Sequence, residues 1–334
     1  MSVPVIAFFN NKAGVGKTTL VYHVAWMMSD LGHTVLVADL DPQGNLTTAF
    51  LDADRLEELW PEDATTPTIH GAIRDLQRGV GDVVKPCLEP VGENLALILG
   101  DMALSRCEDA FSQVWPKCLD GDERALRVIS AFWRVLQLGA RERGADVVLV
   151  DLGPNLGAIN RAALIASDFL VIPLGPDLYS LQGLRNLGPT LRVWRQEWRE
   201  RLARNPSGDL ELPTGAMQPL GYIVMAHTMR FGEPVHVYEK WISRIPATYY
   251  RAVLDQRDPD PPPVVSDPHC FALLRHYRSL MPMAQEARKP IFHLKPADGA
   301  MGSLFGAVRH AWQDFRTLTE RILDQARIAR TKVT

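Results

Sequence analysis

The stretch FFNNKAGVGKTTL, residues 8–20, decides the fold of this chain. It follows an apolar run, residues 3–9, which is typical of a buried parallel strand. After it, apolar residues at helical spacing begin near Lys17 and stop at Gly32. Between strand and helix, Gly14 and Gly16 allow a tight turn that directs backbone N–H groups toward an anion. The positive end of the new helix points the same way, so the stretch predicts a phosphate-binding loop.

The loop departs from the usual phosphate-binding pattern at its start. In that pattern, G-x-x-x-x-G-K-[ST], Lys17 reaches the β- and γ-phosphates and the Thr18 hydroxyl binds Mg²⁺. The first glycine should stand at position 11, but Asn11 and then Lys12 occupy the opening. The predicted nucleotide-binding residues of the loop are Lys12, Ala13, Gly14, Val15, Gly16, Lys17, Thr18 and Thr19. The alternative is a glycine-rich turn with two solvated lysines.

Composition is that of a globular chain. The 334 residues are 46% hydrophobic and 22% charged, which suits one large α/β domain or two small ones. A net charge of −3 gives no general attraction to nucleic acid or anionic membranes, so any such binding needs a local patch. The four cysteines are scattered and indicate neither a zinc site nor a disulfide framework. With no signal peptide and no run of about 20 apolar residues, we expect a cytoplasmic protein.

Strand and helix patterns alternate along the chain, which predicts a doubly wound, mostly parallel α/β sheet flanked by helices. The expected strands are residues 3–9, 34–40, 94–99, 146–152, 168–174 and 219–227. We expect one P-loop domain over residues 1–334, with variable insertions near 52–93 and 230–270. The proline-rich stretch at residues 255–265 predicts a flexible loop. Helical spacing predicts a helix over residues 123–144, and a C-terminal helix is expected near 300–330.

Three carboxylates stand at predicted strand ends. Asp39 and Asp41 follow the second strand, at the edge where open α/β sheets bind ligands, and would suit Mg²⁺ and an attacking water. Asp151 ends an apolar strand, the arrangement in which a carboxylate holds the metal or its water. Each aspartate could instead cap a turn. Arg230, beyond the strand at 219–227, could border the nucleotide or be solvated.

Four segments together resemble the ParA/MinD family of deviant Walker A ATPases: NKAGVGKTT, VADLDPQGNLT, VLVDLGPNLG and VIPLGPDLYSLQGLRNL. The Asp-Pro-Gln-Gly-Asn stretch at 41–45 looks more like the ParA-type, Soj-like partitioning branch. The resemblance extends to about residue 190 and resumes weakly at 221–230 and 284–292. Ala13 stands where glycine is usual, and Asp-Leu-Gly-Pro-Asn at 151–155 replaces Asp-x-Pro-Pro-Ser.

The resemblance implies ATP and Mg²⁺ as cofactors and an ATP-dependent sandwich homodimer. In such proteins the lysine matching Lys12 reaches the phosphates bound by the other subunit, where it acts as an arginine finger does. Asp41 is assigned to the attacking water and Asp151 to the Mg²⁺ shell. The implied partners are non-specific DNA and a ParB-like stimulatory protein, and the implied location is the nucleoid in the cytoplasm, where the protein would segregate or position DNA.

Basic residues that could contact DNA fall in two segments. They are Arg192, Arg195, Arg199, Arg201 and Arg204, and, near the C-terminus, Arg316, Arg321, Arg327, Arg330 and Lys332. Both segments also carry acids, so each could be an ordinary solvated face. The alternative functions are a MinD-like ATPase acting on a membrane and an ATPase positioning a non-DNA cargo. Phe315, Leu318, Ile322 and Ile328 mix with acids and indicate core packing, so no stable membrane association is expected. A reductase like the nitrogenase iron protein lacks support in the cysteine spacing.

Overall fold

The computed structural model describes residues 2–60, 67–227, 229–230, 233–234, 236–277 and 279–329. The strands are β1 Val5–Phe8, β2 Val35–Asp39, β3 Glu89–Gly92, β4 Leu95–Ile98, β5 Val147–Asp151, β6 Phe169–Leu174, β7 Gln218–His227, β8 Met229–Arg230, β9 Glu233–Pro234 and β10 Cys270–Arg275. The helices are α1 Lys17–Asp30, α2 Asn45–Phe50, α3 Ala53–Leu59, α4 Ile69–Arg78, α5 Glu108–Val114, α6 Glu123–Ile129, α7 Ala131–Arg143, α8 Ala158–Ile165, α9 Leu178–Leu202, α10 His236–Ile242, α11 Ile245–Ala252, α12 Leu280–Ala287 and α13 Ser303–Ala326.

One sheet organises the chain, in the strand order β10-β7-β6-β1-β5-β2-β4-β3. Its strands are parallel except β3, which pairs antiparallel with β4; β8 and β9 form a separate hairpin. In the register of the central strands, Asp151 lies between Phe8 and Asp39. The ends of β1, β2 and β5 therefore meet at one edge, where the phosphate-binding loop also begins.

Apolar side chains pack on both faces of the sheet. Along β1, Val5 and Ala7 face the cluster covered by α4 to α11, whereas Ile6 and Phe8 face the cluster formed with α1, α2, α3, α12 and α13. A strand buried on both sides needs a continuous apolar run, which explains why β1 shows no polar alternation.

The predicted fold class is confirmed, and each expected strand is present; β7 begins one residue earlier than expected, and the others have slightly shorter bounds. Among the described residues, four strands were not predicted: β3 and β10 of the main sheet, and the two-residue strands β8 and β9. β3 contains Pro90 and Gly92, so its own strand propensity is low and it depends on pairing with β4. β10 is a short edge strand held by β7. The helix expected over 123–144 is two helices, α6 and α7, which meet at Ser130.

Two regions expected as variable insertions contain regular structure. The first, near 52–93, holds α3, α4 and β3, and the second, near 230–270, holds α10 and α11. The proline-rich stretch 255–265 contains neither strand nor α-helix among the described residues. The C-terminal helix is α13, and it packs by burying Phe315, Leu318 and Ile322, as the sequence indicated. Among the described helices, none combines the length and apolar composition that a membrane span requires.

Candidate functional site

The loop between β1 and α1 has a left-handed backbone at both glycines. Gly14 has φ +70° and Gly16 has φ +84°, conformations that residues with a Cβ rarely adopt. Gly16 is the N-cap of α1, which begins at Lys17, so the first N–H groups of α1 and the loop amides face the same space. The local geometry therefore suits an anion.

Lys17 lies folded over this loop. Its side chain is buried, and Nζ donates to the carbonyl oxygen of Lys12 at 3.4 Å. Burial lowers the pKa of the Lys17 ammonium, and the carboxylates of Asp151 and Asp41 partly oppose that effect. A desolvated cation placed beside backbone donors is a strong site for a phosphate group.

Lys12 occupies a different environment. Its ammonium forms an ion pair with Asp177, the residue at which α9 begins. Asp177 also accepts a hydrogen bond from the N–H of Ser180 at 3.0 Å. Burial alone would raise the pKa of the Asp177 carboxyl, but the Lys12 and Ser180 hydrogen bonds outweigh it and the pKa is lowered. Within this single chain, Lys12 is thus bound to α9.

The carboxylate at the end of β5 is joined to the loop. The Thr18 hydroxyl donates to Oδ2 of Asp151 at 2.6 Å. Among the described residues, Oδ1 of Asp151 is buried without a hydrogen-bond partner. Burial, and then the neighbouring charge of Asp39, raise the pKa of Asp151 to about 8.

The carboxylate of Asp39 forms hydrogen bonds with the segment that follows β2. Its Oδ1 accepts from the N–H of Asp41 at 3.2 Å, and its Oδ2 accepts from both the N–H and the hydroxyl of Thr47 at 2.8 Å. Burial raises the pKa of Asp39 to about 6, although the Thr47 bonds act in the opposite direction. Both oxygens therefore hold the turn between β2 and α2.

A cavity of about 600 Å³ is lined by Lys17, Thr18 and Asp41 among the predicted site residues, whereas Lys12, Val15, Asp39 and Asp151 do not line it. Its walls come from the loop and first turns of α1, the segment from Asp41 to α2, the 154 turn, and α12. The lining residues are Ala13, Gly14, Gly16, Lys17, Thr18, Thr19, Tyr22, His23, Asp41, Gln43, Asn45, Thr48, Ala49, Pro154, Met281, Ala284, Gln285, Arg288 and Lys289. Asp41 is mostly buried here, and its Oδ1 accepts from the N–H of Gln43 at 3.0 Å. The volume is in the range of small-molecule sites.

Comparison with known proteins identifies the family. Residues 3–204, more than half of the chain, match the family model described as AAA domain. The chromosome-partitioning ATPase Soj of Thermus thermophilus is 31% identical over 199 residues, and the sporulation initiation inhibitor protein Soj of Bacillus subtilis is 30% identical over 189. These matches cover 59% and 57% of this chain and 65% of each relative. The chain belongs to the ParA-type ATPase family.

A solved structure extends the similarity to the whole fold of this ParA-type chain. The complex of Cyanothece McdA with ATP superposes with a TM-score of 0.64 and covers 99% of this chain and 98% of the other. Its sequence identity is 15%, so it shows that the architecture is shared and no more. The two Soj matches leave about a third of each relative's length uncovered.

One wall of the cavity was missed by the sequence analysis. Met281, Gln285 and Arg288 of the α12 region line it, and Nη1 of Arg288 donates to the carbonyl oxygen of Leu51 at 2.5 Å. The weak family resemblance at 284–292 was the one sequence signal for this wall. The local sequence does not show that α12 lies across the cavity from α2. Arg230 lies in β8, and its side chain is outside the described residues, so its assignment stays a prediction.

His23, also missed, connects α1 with the C-terminal part of the chain. Its Nδ1 lies 2.7 Å from the carbonyl oxygen of Thr19, and Nε2 accepts from the N–H of Ile291 at 3.1 Å. Because a carbonyl can only accept, Nδ1 carries the proton and the ring is neutral. The ring stacks on Phe315 of α13, with centroids 4.9 Å apart. Burial lowers the pKa of His23 to about 4.

The basic residues proposed for DNA contact are not all available. Arg201 is buried, with Nε donating to the carbonyl oxygen of Trp115 at 3.0 Å, so its candidacy was wrong. Three others also donate to backbone carbonyl oxygens: Arg192 to Ala252, Arg195 to Met217, and Arg321 to Cys270 and Phe271. The exposed candidates are Arg199, Arg204, Arg316 and Arg327, whereas Arg330 and Lys332 lie outside the described residues. Long arginine side chains can reach inward along a packed helix, which sequence does not reveal.

Proposed function

We propose that this ParA-type chain hydrolyses ATP with Mg²⁺ in a sandwich homodimer. In the ATP state the dimer binds DNA without sequence preference, and a ParB-like partner stimulates hydrolysis and releases it, so that DNA is segregated or positioned. The observation that supports this most directly is a single cavity lined by Lys17, Thr18 and Asp41, with Lys12 at the opening of the loop. Family membership supports the partition role.

ATP would bind with its phosphates in the glycine-containing loop. Lys17 and the N–H groups of residues 13–19 would hold the phosphates, and the rest of the cavity, toward α12, would hold the nucleoside. The buried Lys17 ammonium has no competing carboxylate hydrogen bond among the described contacts. Its charge is therefore directed to the ligand.

The residues present fit a Mg²⁺ ion. The buried Oδ1 of Asp151 lacks a partner among the described residues, and the Thr18 hydroxyl already bonds to the other oxygen of that carboxylate. Hard oxygen donors of this kind are what Mg²⁺ prefers. Thr18 and Asp151 would hold the ion, which supplies positive charge to the transferring phosphoryl group. Asp39, with both oxygens bonded to the turn, would position Asp41 and not bind the metal.

Asp41 would orient the attacking water. It lies on the cavity and is fixed at one oxygen by the N–H of Gln43. If Asp41 acts on water and does not hold the nucleotide, Asp41→Ala should bind ATP, form a dimer and stall. Size-exclusion chromatography with ATP checks this. If the Asp41→Ala variant stays monomeric with ATP, or hydrolyses ATP at the wild-type rate, Asp41 only caps the turn.

Lys12 would act on the ATP bound to the partner subunit. Its ammonium is partly exposed and is paired with Asp177 within this chain, so it would leave Asp177 to reach the partner's phosphates. A cation supplied in trans would stabilise charge developing on the phosphoryl group and make hydrolysis conditional on dimerisation. Loss of such a group typically costs about 10³-fold or more in rate.

Mixing two inactive variants tests this arrangement. In a heterodimer of Lys12→Ala with Asp41→Ala, the site on the Lys12→Ala subunit keeps its own Asp41 and receives Lys12 from the partner. That site is complete, so mixing should restore part of the activity. If heterodimers form at every ratio and hydrolysis stays absent, Lys12 works within its own subunit. Mixing Asp41→Ala with Lys17→Ala, which damages nucleotide binding, leaves both sites incomplete and is the matched control, so no activity should return.

DNA binding should depend on ATP and weaken steeply with salt, because phosphate contacts release counterions. Among the exposed arginines, Arg199→Glu and Arg204→Glu at the end of α9 and Arg327→Glu after α13 should lower DNA affinity and leave ATP binding unchanged. Arg257→Glu, an exposed arginine in the proline-rich stretch, is the charge-matched control. Salt-independent binding, or none in either nucleotide state, would favour a non-DNA cargo.

A further inference from the structure

An apolar groove lies on the opposite side of Lys289 from the nucleotide cavity. It runs between residues 289–295 and α13, and its volume is about 630 Å³. Phe292, Leu294 and Val308 form a floor that is almost fully buried, whereas Phe305 at the rim is 58% exposed and Trp312 is 36% exposed. We call this feature the α13 groove.

The rim residues form a stripe on α13. Phe305, Arg309 and Trp312 follow one another at helical spacing, so they share one side of the helix. The core-facing side is separate and carries the buried Phe315 and Leu318. Two exposed aromatic rings beside a concave apolar floor are unusual on a surface that only meets water, and such patches commonly mark contact sites.

The rim of the groove carries positive charge, although the protein as a whole is negatively charged. The net charge of the protein is −3, yet Lys295 and Arg309 are exposed at the rim. Two further polar side chains of the wall already have partners, since Lys289 pairs with Asp298 at 2.7 Å and Nε2 of His293 lies 2.7 Å from Oδ2 of Asp30. The groove thus offers positive charge next to apolar surface.

We propose that the α13 groove docks an acidic peptide segment of a partner protein. An aliphatic or aromatic side chain of the segment packs on Phe292 and Trp312, and its carboxylates pair with Lys295 and Arg309. Aromatic and arginine residues of this kind dominate binding energy at protein interfaces. A nucleic acid backbone fits less well, because it would pair with the cations but leave the apolar floor unused.

The groove also touches the nucleotide cavity. Lys289 lines both spaces. Phe292 of the groove floor meets His23 edge-on, with ring centroids 5.9 Å apart, and the neighbouring Ile291 N–H donates to the same histidine. A docked segment would therefore lie within two side-chain contacts of α1, the helix that begins at the phosphate-binding loop.

Selection from a random-peptide phage library on the full-length protein, without nucleotide, tests the proposal. Recovered peptides should place Asp or Glu next to aliphatic or aromatic residues. Their affinity, measured by fluorescence anisotropy with the synthetic peptide, should fall about tenfold or more in Trp312→Ala and in Arg309→Glu. Arg257→Glu, the same charge change at an exposed arginine in the proline-rich stretch, should bind the peptide as the wild type does.

Several results would overturn the proposal. These are no enrichment, recovery of basic or purely apolar peptides, and binding that survives Trp312→Ala and Arg309→Glu. Loss of DNA binding, or of retention on anionic phospholipid vesicles, in those same variants would assign the surface to nucleic acid or lipid instead. Both residues are exposed, so circular dichroism should confirm that the variants are folded. Because the selection uses no nucleotide, its failure leaves the ATPase proposal standing, and failure of that proposal leaves the groove test valid.

Discussion

Acidification should reveal how strongly His23 holds the C-terminal part of the chain to α1. The neutral ring donates from Nδ1 to Thr19 and accepts at Nε2 from Ile291, and only 2% of the residue is exposed, too little to hydrate a charge. Protonation would turn Nε2 into a donor facing another donor. The folded state therefore resists protonation, and the unfolded chain takes up the proton first.

The size of the effect follows from the two pKa values. Burial lowers the pKa of His23 from its ordinary value of about 6.5 to about 4 in the folded protein. Between those values the unfolded state binds more protons, so stability rises with pH and is lost as the pH falls through this window. Linkage gives a loss of about 2 kcal/mol by about pH 5 and about 3 kcal/mol by about pH 4.

Urea unfolding of the wild type and His23→Gln at about pH 7.5 and about pH 5 measures this loss. The variant should be less stable at the higher pH because it loses the ring contacts with Phe315. Its further loss on acidification should be smaller than that of the wild type by about 2 kcal/mol. His310→Gln, an exposed histidine on α13, is the matched control. Equal acid sensitivity in the wild type and His23→Gln would refute the reasoning.

Three further outcomes are expected. Lys17→Ala should lose ATP binding in calorimetric titration, because the phosphates lose their buried cation; retained micromolar affinity would contradict the loop assignment. Asp177→Asn should still cap α9 but should free the Lys12 ammonium from its ion pair. Sedimentation with ATP should then show dimers at lower protein concentration than for the wild type. Weaker dimerisation would show that the ion pair does not restrain Lys12. Gly188→Ala places a Cβ 1.9 Å from the carbonyl oxygen of Ala252 and should lower the urea-unfolding free energy by about 2 kcal/mol or more. Gly306→Ala, with nothing within 4 Å in the exposed part of α13, should instead stabilise by about 0.5–1 kcal/mol, and an equal loss in both would exclude the steric cause.

The sequence by itself determined the parts of the protein that lie within one segment. The strand–loop–helix unit around Gly14, Gly16 and Lys17 follows from local rules for backbone conformation and helix dipoles. The doubly wound sheet follows from the alternation of strand and helix patterns. Placing Asp41 and Asp151 near the loop needed only one further rule, that parallel strands end at a common edge.

Only the tertiary structure decided how distant segments meet. It pairs Lys12 with Asp177, brings α12 across from α2 to close the cavity, and joins His23 to Ile291. It also turns Arg201 inward, away from any DNA, and leaves Trp312 exposed beside an apolar floor. These outcomes depend on side-chain reach and on packing between elements that are far apart in the chain, and no local pattern of residues encodes either.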